Sequence, residues 1–396
     1  MESLVKTVLD SMSISKPQKK FIALLLTALV VVQGKANFRN MSRYSVMSEK
    51  RFSRWYRHAF NFYEFNTRLI FGELNKSHQC IAAIDASFMR KSGKHTEGLG
   101  MFYSGASKKA ERGLEVSLIS IIDLQSHTAY GLNARQTLDQ QGKTRVELYA
   151  EQVVSVAPDL LNRGIKHLVS DAFYTKYKFV TPVVRAGLHV VGKMRVDADL
   201  CWLYSGVYSG VGRPRKYDGK IHFDQDLSRF QFSGSLTENT DVYSEVVYSK
   251  SLKRKVRVVL LRIRTDQKTG RAVLFSTDIH SDAMTVVSYY KARFQIEFVF
   301  RDAKQYTGLM DCQSRKKEAI NTHLNASLSA LNLLKLEDRR EKNTEEQTVI
   351  SMASWKRRKF NEHLMSRVFE RLGLSLNEKK VMDTYEQLSL YGVIAA

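Results

Sequence analysis

The sequence predicts an α/β fold in which a mixed sheet flanked by helices is interrupted by an inserted β subdomain, with helical regions at both ends. Three observations predict it. Strand-like segments follow one another from about residue 76, and helices and strands then alternate up to residue 197. Short alternating segments without helices fill residues 198–278. Helical periodicity dominates 1–75, 279–340 and 341–396. At 396 residues the chain is long enough to bury more than one core.

In residues 1–75 the most apolar run is FIALLLTALVVV, Phe21 to Val32. It is too short to span a bilayer of ~30 Å and lacks a small-residue cleavage pattern, so a buried helix is expected. That places the protein in the cytosol, with no membrane partner. The stretch SEKRFSRWYRHAFNFYEF follows, with Ser48 as a helix cap. Its basic residues include Arg51 and Arg54, with Phe52, Trp55 and Tyr56 between them. Two readings stay open, a short helix-turn-helix-like DNA-binding unit and an amphipathic helix with a solvated basic face.

From residue 76 to 197, QCIAAIDAS, GLGMFYSG, EVSLISIIDL and TAYGLNARQ read as strands. QGKTRVELYAEQVVSVAPDLL reads as a helix whose apolar stripe is Val146, Val153, Val154 and Leu160. The strand IKHLVSDAFY, the helix KYKFVTPVVRAG and the strand LHVVGKMR complete this part. Residues 198–278 carry an exposed basic loop with Arg213, Arg215 and Lys216 beside Gly and Pro. Trp202 is expected in a core or turn, with stacking on an unpaired base as the alternative. After Ser281 the chain is helical apart from a polar loop, EDRREKNTEEQ. Leu324, Leu328 and Leu331 form one stripe, and Phe360, Leu364, Val368 and Leu372 another, with Gly373 as its stop. The second stripe is expected to pack within the chain, with a second protomer as the alternative partner. The WKRRKF segment is expected to present a solvated basic face.

Charge narrows the function. Sixty-two Lys and Arg against 40 Asp and Glu leave a net +22, which points to a polyanion, most commonly nucleic acid. Cys80, Cys201 and Cys312 form no CxxC pair and no zinc-spaced cluster, which fits a reducing compartment.

The stretch YYKARFQIEFVFRDAK sets Tyr290, Arg293, Glu297 and Lys304 at offsets of 3, 7 and 14. On one helix these four fall within an arc of roughly 60° at ~100° per residue. Ala292, Ile296, Val299 and Ala303 lie opposite, giving the helix an apolar back. A Glu and an Arg four apart also make an ordinary surface ion pair. Two further acids add weight, because Asp85 ends the strand IAAI and Asp171 ends the strand HLVS. Carboxylates at the ends of apolar strands stand where α/β sheets collect ligands. Three carboxylates without His or Cys make a hard oxygen site suited to Mg²⁺ or Mn²⁺, and two such ions serve in-line phosphoryl displacement. SGKHT lacks the upstream glycine of a phosphate-binding loop, yet Lys91, Lys94 and His95 follow Asp85 closely and are candidate DNA contacts.

Tyr290, Arg293, Glu297 and Lys304 match, without spacing change, the Y-R-E-K signature of DDE transposases of the insertion-sequence-four family. IDASFMRKSGKHTEGLG resembles that family's first-Asp segment, VSDAFYTKYKF its second, and the block from FSTDIHSD to DCQSR its third. The resemblance implies an RNase H-like catalytic core in 76–197 and 279–340, split by the β insertion at 198–278. It implies cut-and-paste transposition, with metal-activated water nicking a transposon end and the freed 3′-OH attacking next, in related enzymes through a hairpin. Asp85, Asp171 and Glu297 would hold two Mg²⁺, with Mn²⁺ as substitute, and Tyr290, Arg293 and Lys304 would grip phosphates near the scissile bond. The implied partners are double-stranded DNA, both terminal inverted repeats and target, and a second copy in a synaptic dimer. The implied setting is a prokaryotic cytoplasm, near the nucleoid. A catalytically inactive DNA-binding relic and an RNase H-like nuclease without strand transfer are the alternatives.

Overall fold

A computed structural model describes residues 2–207, 210, 212, 214–265, 269–342 and 349–394. It is mixed α/β, with helices flanking mixed β-sheet. Two compact units divide the chain: residues 1–79, 86–138 and 295–396 in the first, 80–85 and 139–294 in the second.

The chain opens with helices α1 (Glu2–Asp10), α2 (Lys16–Val31), α3 (Phe38–Met41), α4 (Glu49–Trp55) and α5 (Phe62–Glu73). The apolar run forms α2 as expected. Ser15 caps it, and Leu25, Leu26, Leu29 and Val30 are fully buried, as befits a helix apolar on nearly every side. Among the described residues no helix is long and apolar enough to cross a membrane. Ser48 caps α4 by accepting from the Arg51 N–H. With only seven residues, α4 buries Phe52 and leaves Arg51 and Arg54 exposed.

Strands β1 (Cys80–Arg90), β2 (Gly100–Ser104), β3 (Lys109–Asp123) and β4 (Thr128–Gln136) follow. Here one expectation fails. Asp85 does not end its strand, because β1 continues for five residues through Ala-Ser-Phe-Met-Arg. Apolar continuity marked the buried first half of β1, whereas in the second half only Met89 is buried, too little to carry that signal. In the first unit, β3 is antiparallel to both β2 and β4.

The second unit runs α6 (Arg145–Asn162), β5 (His167–Val169), α7 (Tyr177–Arg185), β6 (His189–Met194), β7 (Leu200–Leu203), β8 (Tyr217–Lys220), β9 (Gln231–Thr237), β10 (Thr240–Ser249), β11 (Arg254–Arg264), β12 (Thr269–Ser276) and α8 (Ala283–Ala292). A capping box between Thr144 and Glu147 starts α6. Val153 and Leu160 are buried on it, but Val154 is exposed, since its position one residue from Val153 turns it off the stripe. The start of β1 is parallel to β5, and β5 to β6. Strand β12 returns antiparallel to β6, and β11, β10 and β7 continue the antiparallel order, with β9 also on β10. Trp202 is buried in this unit, its indole N–H on Asp226 and its ring under Arg229, so the core role holds.

The chain closes with α9 (Gln295–Tyr306), α10 (Lys317–Glu341), α11 (Met352–Leu372) and α12 (Lys379–Ser389). A single helix through residues 289–304 is not formed. It breaks at Arg293 and Phe294, where the Phe294 N–H closes a tighter turn onto the Lys291 carbonyl. No Gly or Pro marks the break. Each half instead packs in its own unit, α8 on β6 and β12, α9 on β4 and α10. The polar loop also starts later than expected, because α10 runs through Glu341, and residues 343–348 lie outside the described ones. Gly373 stops α11 at φ 68 as expected. Its stripe packs within the chain only at one end: Phe360 is half-buried against Tyr44, whereas Leu364, Val368 and Leu372 are exposed. The WKRRKF segment is no solvated face either. The Lys356 ammonium donates to the Tyr306 carbonyl, Arg358 pairs with Glu341 and Glu362, and Lys359 with Glu337 and Glu362.

Candidate active site

The two aspartates share a register. Strands β1 and β5 are parallel, with Ala82 opposite Leu168 and Ala83 opposite Val169. Asp85 and Asp171 each stand two residues beyond the Ala83–Val169 pair, so they occupy equivalent positions on adjacent chains and the same face. Neighbouring strands run about 4.8 Å apart, which sets the scale of the pair. Beneath them Ile84, Leu168 and Val169 are buried, while both aspartates are half-buried. Asp171 is still extended at φ −78, ψ 178 and caps the turn Ala172–Tyr174, its Oδ1 accepting from the Phe173 N–H at 2.5 Å. That bond orients the carboxylate and leaves Oδ2 to other partners.

The cations of the signature distribute between the units. In the second unit, Arg293 closes α8 and brings its Nη1 4.0 Å from Asp85 Oδ2. Its guanidinium lies 5.8 Å from the centre of the Tyr290 ring. In the first unit, Glu297 and Lys304 lie seven residues apart on α9, two turns along one face. Ile296, Val299 and Ala303 bury the back of that helix. The Lys304 ammonium donates to Ser87 Oγ at 2.7 Å, and Ser87 stands two residues past Asp85 on β1. Among the described residues no group of three His, Cys, Asp or Glu side chains is set to hold an ion. The structure thus pairs Asp85 with Asp171, and Glu297 sits in the other unit.

The remaining sequence candidates fall in two groups. Lys94, His95, Lys216, Arg51 and Arg54 are exposed. Arg215 is exposed too, but lies over the Tyr204 ring and pairs with Asp218. Arg213 lies outside the described residues. Lys91 instead points inward: its ammonium donates to the Cys312 carbonyl, and burial lowers its pKa. Sequence reasoning missed Ser87 and Phe173, which hold Lys304 and Asp171. The only signal for Ser87 was its two-residue spacing from Asp85; Phe173 acts through its backbone and gave none.

A family model described as Transposase DDE domain matches residues 76–333, well over half of the chain. The chain belongs to the DDE transposase family. No curated protein matches it. The matched span includes Asp85, Asp171 and residues 290–304. DDE transposases act on DNA with divalent ions, and the donor set in this transposase suits them. Two carboxylates in shared register, with no His or Cys, offer hard oxygen ligands of the kind Mg²⁺ takes.

Proposed function

We propose that this transposase cuts the ends of an insertion-sequence-four-type element and joins them to target DNA by metal-dependent phosphoryl transfer. The observation that carries the reading is the shared register of Asp85 and Asp171 on parallel strands. The parallel order of β1, β5 and β6 agrees with an RNase H-like core over 76–197 and 279–340. Residues 198–278 then form the insertion, 1–75 a helical DNA-binding region and 341–396 a helical tail. The protein works in a prokaryotic cytoplasm as a homodimer on paired ends.

Asp85, Asp171 and Glu297 would hold two Mg²⁺, with Mn²⁺ as substitute. When bound, such ions would supply charge neutralisation for an in-line phosphoryl displacement. The protein's own groups do the rest. The Phe173 N–H fixes the Asp171 carboxylate. Arg293 offsets charge beside Asp85 and, with Tyr290, binds a phosphate near the scissile bond. Lys304, steered by Ser87, binds another. Lys91, Lys94, Arg213, Arg215, Lys216, Arg51 and Arg54 add weaker backbone contacts, Lys91 only if it leaves Cys312. A hairpin intermediate belongs to this reading as the route to a flush double-strand cut.

Labelled DNA carrying the flanks of this gene, incubated with Mg²⁺ and either the natural protein or Glu297→Gln, tests the proposal. Expected are a cut at a defined end and a joined product, both at least 1,000-fold slower in the variant, with DNA binding kept. Binding without cleavage by either protein indicates the inactive relic. Cleavage without joining indicates the nuclease.

A further inference from the structure

Strands β10, β11 and β12 place Asp241 directly opposite Arg262, and Arg262 directly opposite Arg271. Directly opposed residues point to one face, so two guanidinium groups stand side by side there, an arrangement that destabilises a sheet when nothing offsets it. Arg271 reaches Asp224 at 2.6 Å, and Arg264 reaches Asp241 at 3.1 Å. Asp241 also accepts from Ser235 at 2.9 Å. Arg262 is half-buried, yet its guanidinium makes no hydrogen bond or ion pair among the described residues. Three arginines therefore share two carboxylates, one of them on the freely exposed Asp224.

The next row on this face holds the buried Leu260 and Val273 behind the arginine pair, and an aromatic pair farther out on β10 and β9. Tyr243 lies two residues from Asp241 on the same face, opposite Phe232, their rings 5.5 Å apart. Phe232 is 57% exposed. A guanidinium pair lacking one counter-charge offers a bidentate anion site.

We propose that this face of the β10 to β12 sheet binds a backbone phosphate of duplex DNA, between Arg262 and Arg271. The inference rests on the reading that the chain acts on DNA. The net charge of +22 favours a polyphosphate over an acidic peptide as occupant. The site lies outside the signature residues and adds a contact, not a catalytic group.

Arg262→Gln tests it by anisotropy with a fluorescent end duplex across a salt series, alongside a melting curve and the cleavage rate at saturating DNA. The expected result has three parts. Affinity falls about fivefold to twentyfold and the log–log salt slope shrinks by about one, as for one lost phosphate contact. Melting temperature holds or rises, because the like-charge pair is gone. Cleavage at saturation is unchanged, and Arg262→Lys restores the salt slope but only part of the affinity. Affinity and slope equal to the natural protein's overturn the proposal, as does a lowered melting temperature that accounts for the lost binding. If no DNA is cut but the slope still falls, the cleavage reading fails and this site stands.

Discussion

Asp171 shows why single residues in this protein carry more than one task. Its backbone extends strand β5, one carboxylate oxygen caps a turn, and the other is left to the site. Capping the turn and the proposed metal role are therefore compatible at this residue. His167, at the other end of β5, stands opposite His189 and against Tyr289, with Asp278 at 3.5 Å and Lys166 nearby. Burial lowers its pKa, and His189 lowers it further, outweighing the pull of Asp278. The unfolded chain takes up this proton near pH 6.5 and the folded one only below that, so stability is complete above about 6.5 and falls as pH drops through it. Denaturant titrations at pH 7.5 and 5.5 will show the loss, and His167→Gln will flatten it. A slope unchanged by the substitution refutes this. Ser87→Ala, which removes the hydrogen bond from Lys304 to Ser87 Oγ, is expected to lower the cleavage rate about tenfold while leaving DNA affinity within twofold, as positioning without direct contact requires.

At the level of elements, helix α10 closes an open sheet edge. Asn332 accepts from the Gly131 N–H at 2.9 Å and donates to its carbonyl at 2.7 Å. Asn325 does the same for Ala134, and the buried Lys335 ammonium donates to the Ala129 carbonyl. Side chains of one helix thereby serve β4 as another strand would. Asn332→Leu leaves a buried donor and acceptor unmet and is expected to cost about 2–4 kcal/mol of stability, read from urea unfolding. A loss below about 1 kcal/mol contradicts the bracing role. Periodicity foretold α10 but not this use of it, since polar residues inside an apolar stripe do not name their partners. The same limit explains the helix broken at Arg293. Residues 289–304 keep helical spacing throughout, and only packing in separate units ends α8 and starts α9 anew. Asp85 within β1 is a third case, because a strand's mostly half-buried continuation carries no apolar signature.

Across the whole molecule, the order of the acid-bearing segments was legible because each follows an apolar strand or lies on an amphipathic helix. The register that pairs Asp85 with Asp171 was not, since nothing local to either segment sets which residues of two distant strands align. Nor was the exposed stripe Leu364, Val368 and Leu372, which has the same spacing as a buried one. The chain's excess of positive charge makes a general prediction: DNA affinity falls steeply as salt rises, and a flat dependence contradicts an electrostatic footprint of this size. The central claim is that the aspartate pair holds divalent ions for cutting DNA. Its most direct test is Mn²⁺ binding followed by electron paramagnetic resonance, with the end duplex present, in the natural protein and in Asp85→Asn. The account predicts about two tightly held ions per site in the first and a clear loss in the second, with DNA still bound. Equal Mn²⁺ binding by both proteins contradicts it.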